Sequence, residues 1–290
     1  MIIDAHLHLW EKQQGMVNQK PVYSIGGGKS DFGGVIRQMM PPYMTDGVNS
    51  VERLIANMDY ARVGGAVVTQ EYIDGNQDKY LLECKRKYPD RIKICSLYEE
   101  KEDYRLEGFD GIKVCAGRLT TVKPEELGFL CRQLTEQNKF LSIDLADGAQ
   151  QVPAMEKLIG EYPDLKIAIG HFGMVTRPDW EKQIELACHK NVYIESGGIT
   201  WLFHKEFYPY PSAVDAIIRA KEICGMEKLM WGSDYPRTMT AITYLMSRDF
   251  VEKSDKLTES EKKMFLGENA KKFYGFKELP EIPYTINMVE

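Results

Sequence analysis

The stretch of sequence that decides the fold is Met1-Ile2-Ile3-Asp4-Ala5-His6-Leu7-His8-Leu9-Trp10, an apolar run with two histidines two positions apart. Successive side chains of a strand point to opposite faces, so His6 and His8 share one face. Two neutral imidazoles on one strand are typical of the start of a divalent-metal site. A pair that only packs or hydrogen-bonds is the alternative. The metal is favoured because His171 and Asp234 also end apolar strands.

The composition is that of an ordinary globular protein, with 290 residues, 43% of them hydrophobic and 28% charged. One α/β barrel takes about 250 residues, so a single domain over residues 1–290 is expected. The net charge of -6 argues against nucleic acid and anionic membranes as partners. The start of the chain has no signal-peptide pattern, and no apolar run reaches the length of a membrane span.

The cysteine pattern indicates a reduced, cytoplasmic protein. The six cysteines are scattered and contain no Cys-x-x-Cys pair, which favours small core residues over disulfides or a cysteine metal site.

Eight apolar runs alternate with segments of helical periodicity, which predicts a (β/α)₈ barrel. The predicted strands are Ile2–Leu9, Gly65–Glu71, Ile92–Tyr98, Gly111–Ala116, Phe140–Ala146, Lys166–His171, Val192–Gly197 and Leu229–Asp234. The predicted helices are Val51–Arg62, Lys79–Tyr88, a short one within Glu99–Glu107, Pro124–Asn138, Val152–Tyr162, Trp180–Lys190 and Ser212–Cys224. A doubly wound open sheet is the alternative, and it is disfavoured because no Gly-x-Gly-x-x-Gly follows the first strand.

Segment Glu11–Asn49 is too long for an ordinary turn between a strand and a helix, and its glycine clusters predict flexibility. Because it follows the first strand, we expect it to be a lid over the histidines, with Tyr23, Arg37 and Tyr43 as substrate contacts. A loop that contacts a partner is the alternative. At the other end of the chain, residues 257–290 are predicted to form a terminal helix and a tail.

Catalytic groups of a barrel come from the C-terminal ends of several strands. The polar residues at those ends are His6, His8, Gln70, Glu71, Lys113, Asp144, His171, Glu195, Ser196 and Asp234. Two histidines with one or two carboxylates suit a divalent ion that lowers the pKa of its water toward about 7. This set supports hydrolysis, hydration or decarboxylation equally, and each residue could instead be a hydrogen-bonded core group or a cap.

Several cations and one further histidine lie in loops on the same predicted face. They are Arg118, Arg177, His204 and Arg237, with Lys113 nearby. Guanidinium groups suit carboxylates, so as a group these residues predict a substrate with a carboxylate or several hydroxyls.

Four motifs together resemble the amidohydrolase superfamily, in its amidohydrolase-related (amidohydrolase 2) branch. They are Ile3-Asp4-Ala5-His6-Leu7-His8-Leu9-Trp10, Gly170-His171-Phe172-Gly173, Gly232-Ser233-Asp234-Tyr235-Pro236 and Gly267-Glu268-Asn269-Ala270-Lys271-Lys272-Phe273-Tyr274-Gly275-Phe276. The branch includes sugar-acid lactonases, pyrone dicarboxylate lactonases, hydratases and decarboxylases. The resemblance implies a distorted (β/α)₈ TIM barrel with at most a mononuclear site.

The resemblance also implies roles for individual residues. His6, His8 and Asp234 match the metal ligands of the family, and His171 matches a histidine that touches the substrate or the attacking water. Asp144 stands where decarboxylases of the branch carry a histidine ligand, which favours the lactonase side and leaves Asp144 as a less certain fourth ligand. Lys113 lies where other superfamily members use a carboxylated lysine, a role not carried over because this chain has too few histidines for a binuclear site.

The sequence therefore predicts a metal-dependent hydrolase that opens a lactone or a similar ring of a small carboxylate or sugar acid. Asp234 and His171 are the predicted catalytic residues. The metal is one divalent ion, zinc first, with manganese or metal-free catalysis as alternatives. The predicted substrate contacts are Lys113, Arg118, Arg237, Gln70, Tyr43, Arg37 and His204. The alternative functions are a non-oxidative decarboxylase or hydratase of an aromatic or unsaturated acid, and a non-catalytic ligand-binding barrel; a homo-oligomer is left open.

Overall fold

The computed structural model describes residues 1–286, 288 and 289, and it contains two sheets. The strands are β1 (Ile3–His8), β2 (Gln14–Val17), β3 (Lys20–Gly26), β4 (Lys29–Phe32), β5 (Ile36–Gln38), β6 (Gly65–Thr69), β7 (Ile92–Leu97), β8 (Gly111–Cys115), β9 (Phe140–Asp144), β10 (Lys166–Ile169), β11 (Val192–Glu195) and β12 (Leu229–Met230). Strand β1 and strands β6 to β12 form one eight-stranded parallel sheet in that order. The predicted TIM barrel is thus confirmed.

The barrel closes through the chain that follows β12. Ala5 N donates to Trp231 O at 2.8 Å, Asp234 N donates to His6 O at 2.9 Å, and His8 N donates to Tyr235 O at 2.9 Å. Strand β1 is therefore paired on both sides and buried along its whole length, as its apolar sequence requires. Because these bonds join the end of β1 to the segment after β12, closure itself places Asp234 beside the histidines.

Helices surround the barrel at most of the predicted positions. They are α1 (Val51–Tyr60), α2 (Asp78–Lys87), α3 (Gly128–Glu136), α4 (Val152–Glu161), α5 (Trp180–Glu185), α6 (Ile199–Leu202), α7 (Pro211–Cys224), α8 (Met246–Glu252), α9 (Glu259–Lys263) and α10 (Asn269–Tyr274). As one example, Ser50 caps α1 by accepting from Arg53 N, and the buried face of α1 is Val51, Leu54 and Met58. No helix in the described chain is long and apolar enough to cross a membrane.

The helix predicted within Glu99–Glu107 is wrong. This fully described segment contains turns and irregular backbone between β7 and β8. Lys101 adopts a left-handed φ of 70°, and the Glu100 carboxylate accepts hydrogen bonds from Thr120 N and Val122 N. The segment is largely charged and has no apolar stripe to bury, so its backbone is held by side-chain hydrogen bonds instead of a helix.

The long insertion is an ordered sheet and not the flexible loop expected from its glycines. Strands β2 to β5 pair antiparallel in sequence order, and residues 14–38 are called here the inserted sheet. The glycines occupy its turns with positive φ, as at Gly27 (59°) and Gly34 (99°). Backbone bonds between Trp10 and Asn49, at 3.1 and 2.9 Å, bring the two ends of the insertion together.

The N-terminal ends of the barrel strands pack against the end of the chain. A buried cluster joins Ile3 and Phe140, at the starts of β1 and β9, to Phe273 and Tyr274 of α10. The ring centroids of Phe140 and Tyr274 lie 4.8 Å apart, at a nearly perpendicular angle. With this end filled, the C-terminal ends of the strands are left for a site, as in other barrels of this architecture.

Candidate active site

Three ligand atoms from the two sides of the barrel closure converge at its C-terminal end. His6 Nε2 lies 3.1 Å from His8 Nε2, and His8 Nε2 lies 2.9 Å from Asp234 Oδ1. The distance from His6 Nε2 to Asp234 Oδ1 is 3.8 Å. All three side chains are buried, so these polar groups are concentrated where water has little access.

Glu195, at the end of β11, fixes the orientation of the first imidazole. Its Oε1 lies 2.6 Å from His6 Nδ1, and its Oε2 accepts from Gly197 N at 2.6 Å. A carboxylate on Nδ1 favours the tautomer that leaves the Nε2 lone pair free, which is the usual arrangement behind a metal-bound histidine. A Cβ at Gly197 would lie 2.8 Å from both Glu195 Oε2 and His6 Cγ, so this contact requires glycine.

These residues fit one divalent ion. Two histidine nitrogens and one carboxylate oxygen form a donor set that zinc and manganese accept. His8 Nδ1 is buried without a hydrogen-bond partner and lies 3.9 Å from Asp74 Oδ2. An ion on Nε2 would keep the proton on Nδ1, directed toward that carboxylate. A metal-ligand role for His8 therefore explains the convergent lone pairs and places the proton of the ring on Nδ1.

Asp234 is held as a carboxylate. Its backbone has a φ of 58°, a strained conformation for a residue other than glycine that is common at functional sites. Its Oδ2 accepts from Trp201 Nε1 at 2.7 Å, and Arg237 Nη1 lies 3.5 Å from Oδ1. Burial raises the pKa of Asp234, but the hydrogen bond to His8 and the charge of Arg237 outweigh it and hold this pKa well below its usual range.

His171 lies directly after β10, also with a left-handed φ, of 54°. Its Nδ1 donates to Gly197 O at 2.8 Å, and its ring centroid lies 4.7 Å from that of His6. Burial lowers the pKa of His171, but the charge of Asp144, whose Oδ2 is 3.5 Å from Nε2, outweighs it and raises the pKa to about 10. The ring is therefore an imidazolium at neutral pH and can donate from both nitrogens.

Asp144 and Lys113 form a buried pair beside this histidine. Lys113 is fully buried, and its Nζ donates to Asp144 Oδ1 at 2.6 Å. Asp144 lies with His6 and His171 in a second group of metal-ligand atoms, while the first group consists of His6, His8 and Asp234. Asp144 thus lies between the Lys113 ammonium and the His171 ring, and it is not in the group formed by His6, His8 and Asp234. Its role as a fourth metal ligand stays a prediction.

A cavity of about 940 Å³ opens over these groups, and three of the predicted cationic contacts line it. Arg37 comes from the inserted sheet, Arg118 follows β8 and Arg237 follows Asp234. Arg118 Nε lies 3.1 Å from Glu71 Oε1, and the Arg237 guanidinium lies over the ring of Trp10. The cavity is large enough for a small acid and carries cations from both the barrel and the insertion.

Other predicted contacts lie outside the lining of this cavity. Lys113 is buried beneath it, and Gln70 is buried with bonds to Asp78 Oδ1 and Cys95 O. Tyr43 and His204 are exposed and do not line it. Tyr23 lines a separate, smaller pocket, and Arg177 forms an exposed pair with Asp147. The cavity lining thus contains only some of the residues that were predicted to contact the substrate.

Two residues of the site were not recognised from the sequence. Trp201 lies in α6 beyond β11, and Asp74 lies in the loop after β6; they bond to Asp234 and Arg237 respectively. Neither residue is at the C-terminal end of a predicted strand, and that position was the criterion by which the histidines were selected from the sequence. The only local signal is glycine, as in Gly197-Gly198 and Asp74-Gly75, which marks a tight turn without naming a contact.

Comparison with known proteins agrees with the fold and the motifs. A profile of the amidohydrolase family matches residues 140–276. No curated protein matches the chain. Among solved structures, a probable 2-pyrone-4,6-dicarboxylic acid hydrolase from Acinetobacter baumannii with citric acid bound is 20% identical with a TM-score of 0.67, covering 95% of this chain and 99% of its own.

Two further structures carry metals. An amidohydrolase from Burkholderia multivorans with bound zinc is 15% identical with a TM-score of 0.68, covering 97% of this chain and 100% of its own. A 5-carboxyvanillate decarboxylase from Novosphingobium aromaticivorans complexed with manganese is 19% identical with a TM-score of 0.55, covering 77% and 79%. At these identities the structures support the barrel fold, while the family profile covers His171 and Asp234. The chain therefore shares its fold with these structures, and its residues 140–276 are similar to the amidohydrolase family.

Proposed function

We propose that this protein is a hydrolase of the amidohydrolase superfamily, and that it uses one divalent ion, zinc as the first candidate, to open a lactone or a similar ester-like ring of a small acidic or polyhydroxylated substrate. The observation that carries the proposal is the convergence of His6 Nε2, His8 Nε2 and Asp234 Oδ1 within 3.8 Å of one another, with the His171 ring centroid 4.7 Å from that of His6. An anion, a cation and a metal-ligand set within one cavity match the charges that develop when water attacks a carbonyl group.

His6, His8 and Asp234 would hold the ion, which when bound supplies positive charge that polarises a carbonyl and acidifies water. Asp234 accepts a proton from the attacking water as its oxygen bonds to the carbonyl carbon. His171 donates a hydrogen bond to the developing oxyanion. When the ring C–O bond breaks, the proton on Asp234 passes to the leaving oxygen, which yields the open hydroxy acid and restores the carboxylate.

The substrate class is argued from the cations of the cavity. Arg37, Arg118 and Arg237 approach it from three different segments of the chain. Guanidinium groups bind carboxylates and hydroxyls with directed hydrogen bonds, so an acidic or polyhydroxylated ring suits this lining. A decarboxylase or hydratase of an aromatic or unsaturated acid is the alternative, and Asp144 in place of a histidine argues against the decarboxylase.

The proposal also covers the cellular location, the domain organisation and the oligomeric state of the protein. All six cysteines are free thiols, which suits the reducing cytoplasm. Residues 1–290 act as one domain in which the inserted sheet serves as the lid of the cavity. A homo-oligomer and a monomer are both compatible with this arrangement, and sedimentation of the purified protein distinguishes them.

The test is a substrate panel with a matched pair of histidine variants. Protein loaded with Zn²⁺ or Mn²⁺, and protein stripped by a chelator, are offered sugar-acid lactones, pyrone dicarboxylates and aromatic acids. Ring opening is followed as proton release, and decarboxylation as CO₂ release. We expect lactone turnover that is lost in His6→Gln and kept in His189→Gln, because His189 is an exposed histidine paired with Glu156.

Three results would change the proposal. Release of CO₂ from an aromatic acid without turnover of any lactone would establish the decarboxylase instead. Full lactone turnover in metal-free protein would remove the ion from catalysis while leaving the ligand set in place. No turnover at all, with tight binding of an acid, would support a non-catalytic barrel.

A further inference from the structure

A buried carboxylate outside the proposed metal-ligand set lies between the inserted sheet and Asp234. Asp74 belongs to the loop after β6 and is buried. Its Oδ2 accepts from Arg237 Nη2 at 2.6 Å, and its Oδ1 accepts from Gln13 Nε2 at 3.1 Å. One carboxylate therefore binds both a residue of the insertion and an arginine that lines the cavity.

On the side of the insertion, the hydrogen bonds continue into the inserted sheet. The Ser30 hydroxyl, fully buried on β4, donates to Gln13 Oε1. The backbone of the same loop also carries the sheet, since Gln14 N donates to Asp74 O at 3.2 Å and Met16 N donates to Tyr72 O at 2.8 Å. The position of the inserted sheet and the position of the Asp74 carboxylate are thus fixed by one set of contacts.

On the side of the catalytic groups, Arg237 is shared between two carboxylates. Its Nη2 binds Asp74, while its Nη1 lies 3.5 Å from Asp234 Oδ1. The conformation of the Arg237 side chain is restricted, because it is largely buried and its guanidinium lies over the ring of Trp10. Without the charge of Asp74, the largest remaining negative charge beside this buried guanidinium would be that of Asp234, and the guanidinium would move toward it.

We propose that Asp74 is a positioning residue that couples the seating of the inserted sheet to the orientation of Asp234 through Arg237. Ser30, Gln13, Asp74, Arg237 and Asp234 form one continuous chain of polar contacts. The catalytic part of this inference rests on the proposed function, in which Asp234 accepts the proton. A seated sheet keeps Arg237 on Asp74 at 2.6 Å and limits its contact with Asp234 Oδ1 to 3.5 Å, which holds the Asp234 carboxylate in its position beside His8.

The kinetic test is a cycle of Gln13→Met, Asp74→Asn and the double variant, assayed on the lactone that the wild type turns over. We expect kcat to fall about 3- to 10-fold for Gln13→Met and about 10- to 100-fold for Asp74→Asn, with smaller changes in KM. The double variant should be no slower than Asp74→Asn alone, because contacts in one network are not additive. Multiplicative losses, or an unchanged kcat in Gln13→Met, would overturn the proposal.

A second measurement needs no substrate. Coupling is reciprocal, so a change at Arg237 must be felt in the inserted sheet. We expect Arg237→Met and Gln13→Met each to accelerate amide exchange in strand β3 by about 3- to 10-fold, with no further gain in the double variant. Asp46→Asn is the matched control, because it removes an exposed acid of the insertion that pairs with Arg53, and it should leave this exchange unchanged.

The two measurements separate the two ideas. If the wild type opens no lactone but Arg237→Met still accelerates exchange in β3, the proposed function fails and the coupling of sheet to guanidinium stands. If lactones are turned over but Arg237→Met leaves exchange in β3 at the wild-type rate, the coupling is wrong and the function stands. Arg237→Met and Gln13→Met, the two variants used for the exchange measurement, both retain Asp74. That measurement therefore does not depend on whether Asp74→Asn folds.

Discussion

The indole Nε1 of Trp201 donates to Asp234 Oδ2 at 2.7 Å, so the carboxylate proposed to accept the proton is held on one oxygen while the other faces His8. Removing this donor in Trp201→Phe should lower kcat about 10- to 100-fold, since a hydrogen bond to a charged group contributes about 1.5–3 kcal/mol. Steady-state kinetics measure the effect. Trp180→Phe, which changes a tryptophan stacked on Phe172 outside the cavity lining, is the control.

Gly198 offers an independent check of the same contact. It has a φ of 71°, and a Cβ there would lie 1.8 Å from Trp201 Nε1. Gly198→Ala should therefore displace the indole and lower kcat at least as much as Trp201→Phe. If both variants turned over substrate at the wild-type rate, the bond from Trp201 would have no part in catalysis.

The role of Asp234 as base is tested by a change that keeps its shape. Asp234→Asn removes the proton acceptor and should slow the reaction by a factor of about 10²–10⁴, the usual worth of general-base catalysis. The measurement is kcat at saturating metal, so that weaker ion binding is not mistaken for a lost base. Near-wild-type turnover on a substrate that the enzyme demonstrably uses would remove Asp234 from the proposed mechanism.

The contact between Glu195 and His6 predicts an effect on metal affinity. Glu195→Gln keeps the side-chain volume but removes the charge that sets the His6 tautomer. The affinity for Zn²⁺ should fall about 10- to 100-fold, as is typical when a residue behind a metal ligand is changed. Competition with a chromophoric chelator measures it. Glu156→Gln, on the exposed partner of His189, should bind the ion as the wild type does.

The pair of Lys113 and Asp144 predicts an effect on stability. Lys113 is fully buried, so Asp144→Asn removes the anion to which its ammonium group is hydrogen-bonded. Breaking a buried ion pair from one side typically lowers the free energy of unfolding by about 3–5 kcal/mol. Urea denaturation measures this loss. Adding Lys113→Met to the same protein should recover part of it, and a further loss in the double variant would contradict the argument.

The sequence predicted the barrel because its strands are buried on both faces. Runs such as Ile92–Leu97 and Gly111–Cys115 are nearly continuous in apolar residues, and that pattern depends only on local chemistry. The same reasoning placed the histidines of β1 on one face. It carried each of the eight strands past its observed end. Two of the predicted ends, His171 and Asp234, adopt a left-handed φ, which has no reliable signature in sequence at a residue other than glycine.

The remaining errors come from contacts between distant segments. Trp201 and Asp74 become site residues only because barrel closure and loop packing bring them to Asp234 and Arg237. The glycines of the insertion predicted flexibility. In the structure they form the turns of a sheet that is hydrogen-bonded through its backbone to the loop after β6. Pairing of this kind is decided by tertiary packing, which a single sequence does not display.

The inserted sheet provides the last prediction. Replacing residues 14–38 with a short flexible linker should leave the barrel folded, because neither β1 nor β6 to β12 pairs with these strands. The truncated enzyme should lose Arg37 from the cavity and admit water, so KM should rise or kcat should fall. Circular dichroism checks folding, and kinetics on the wild-type substrate check function. If the truncated protein kept its kinetics but changed its oligomeric state in sedimentation, the sheet would be a subunit contact and not a lid.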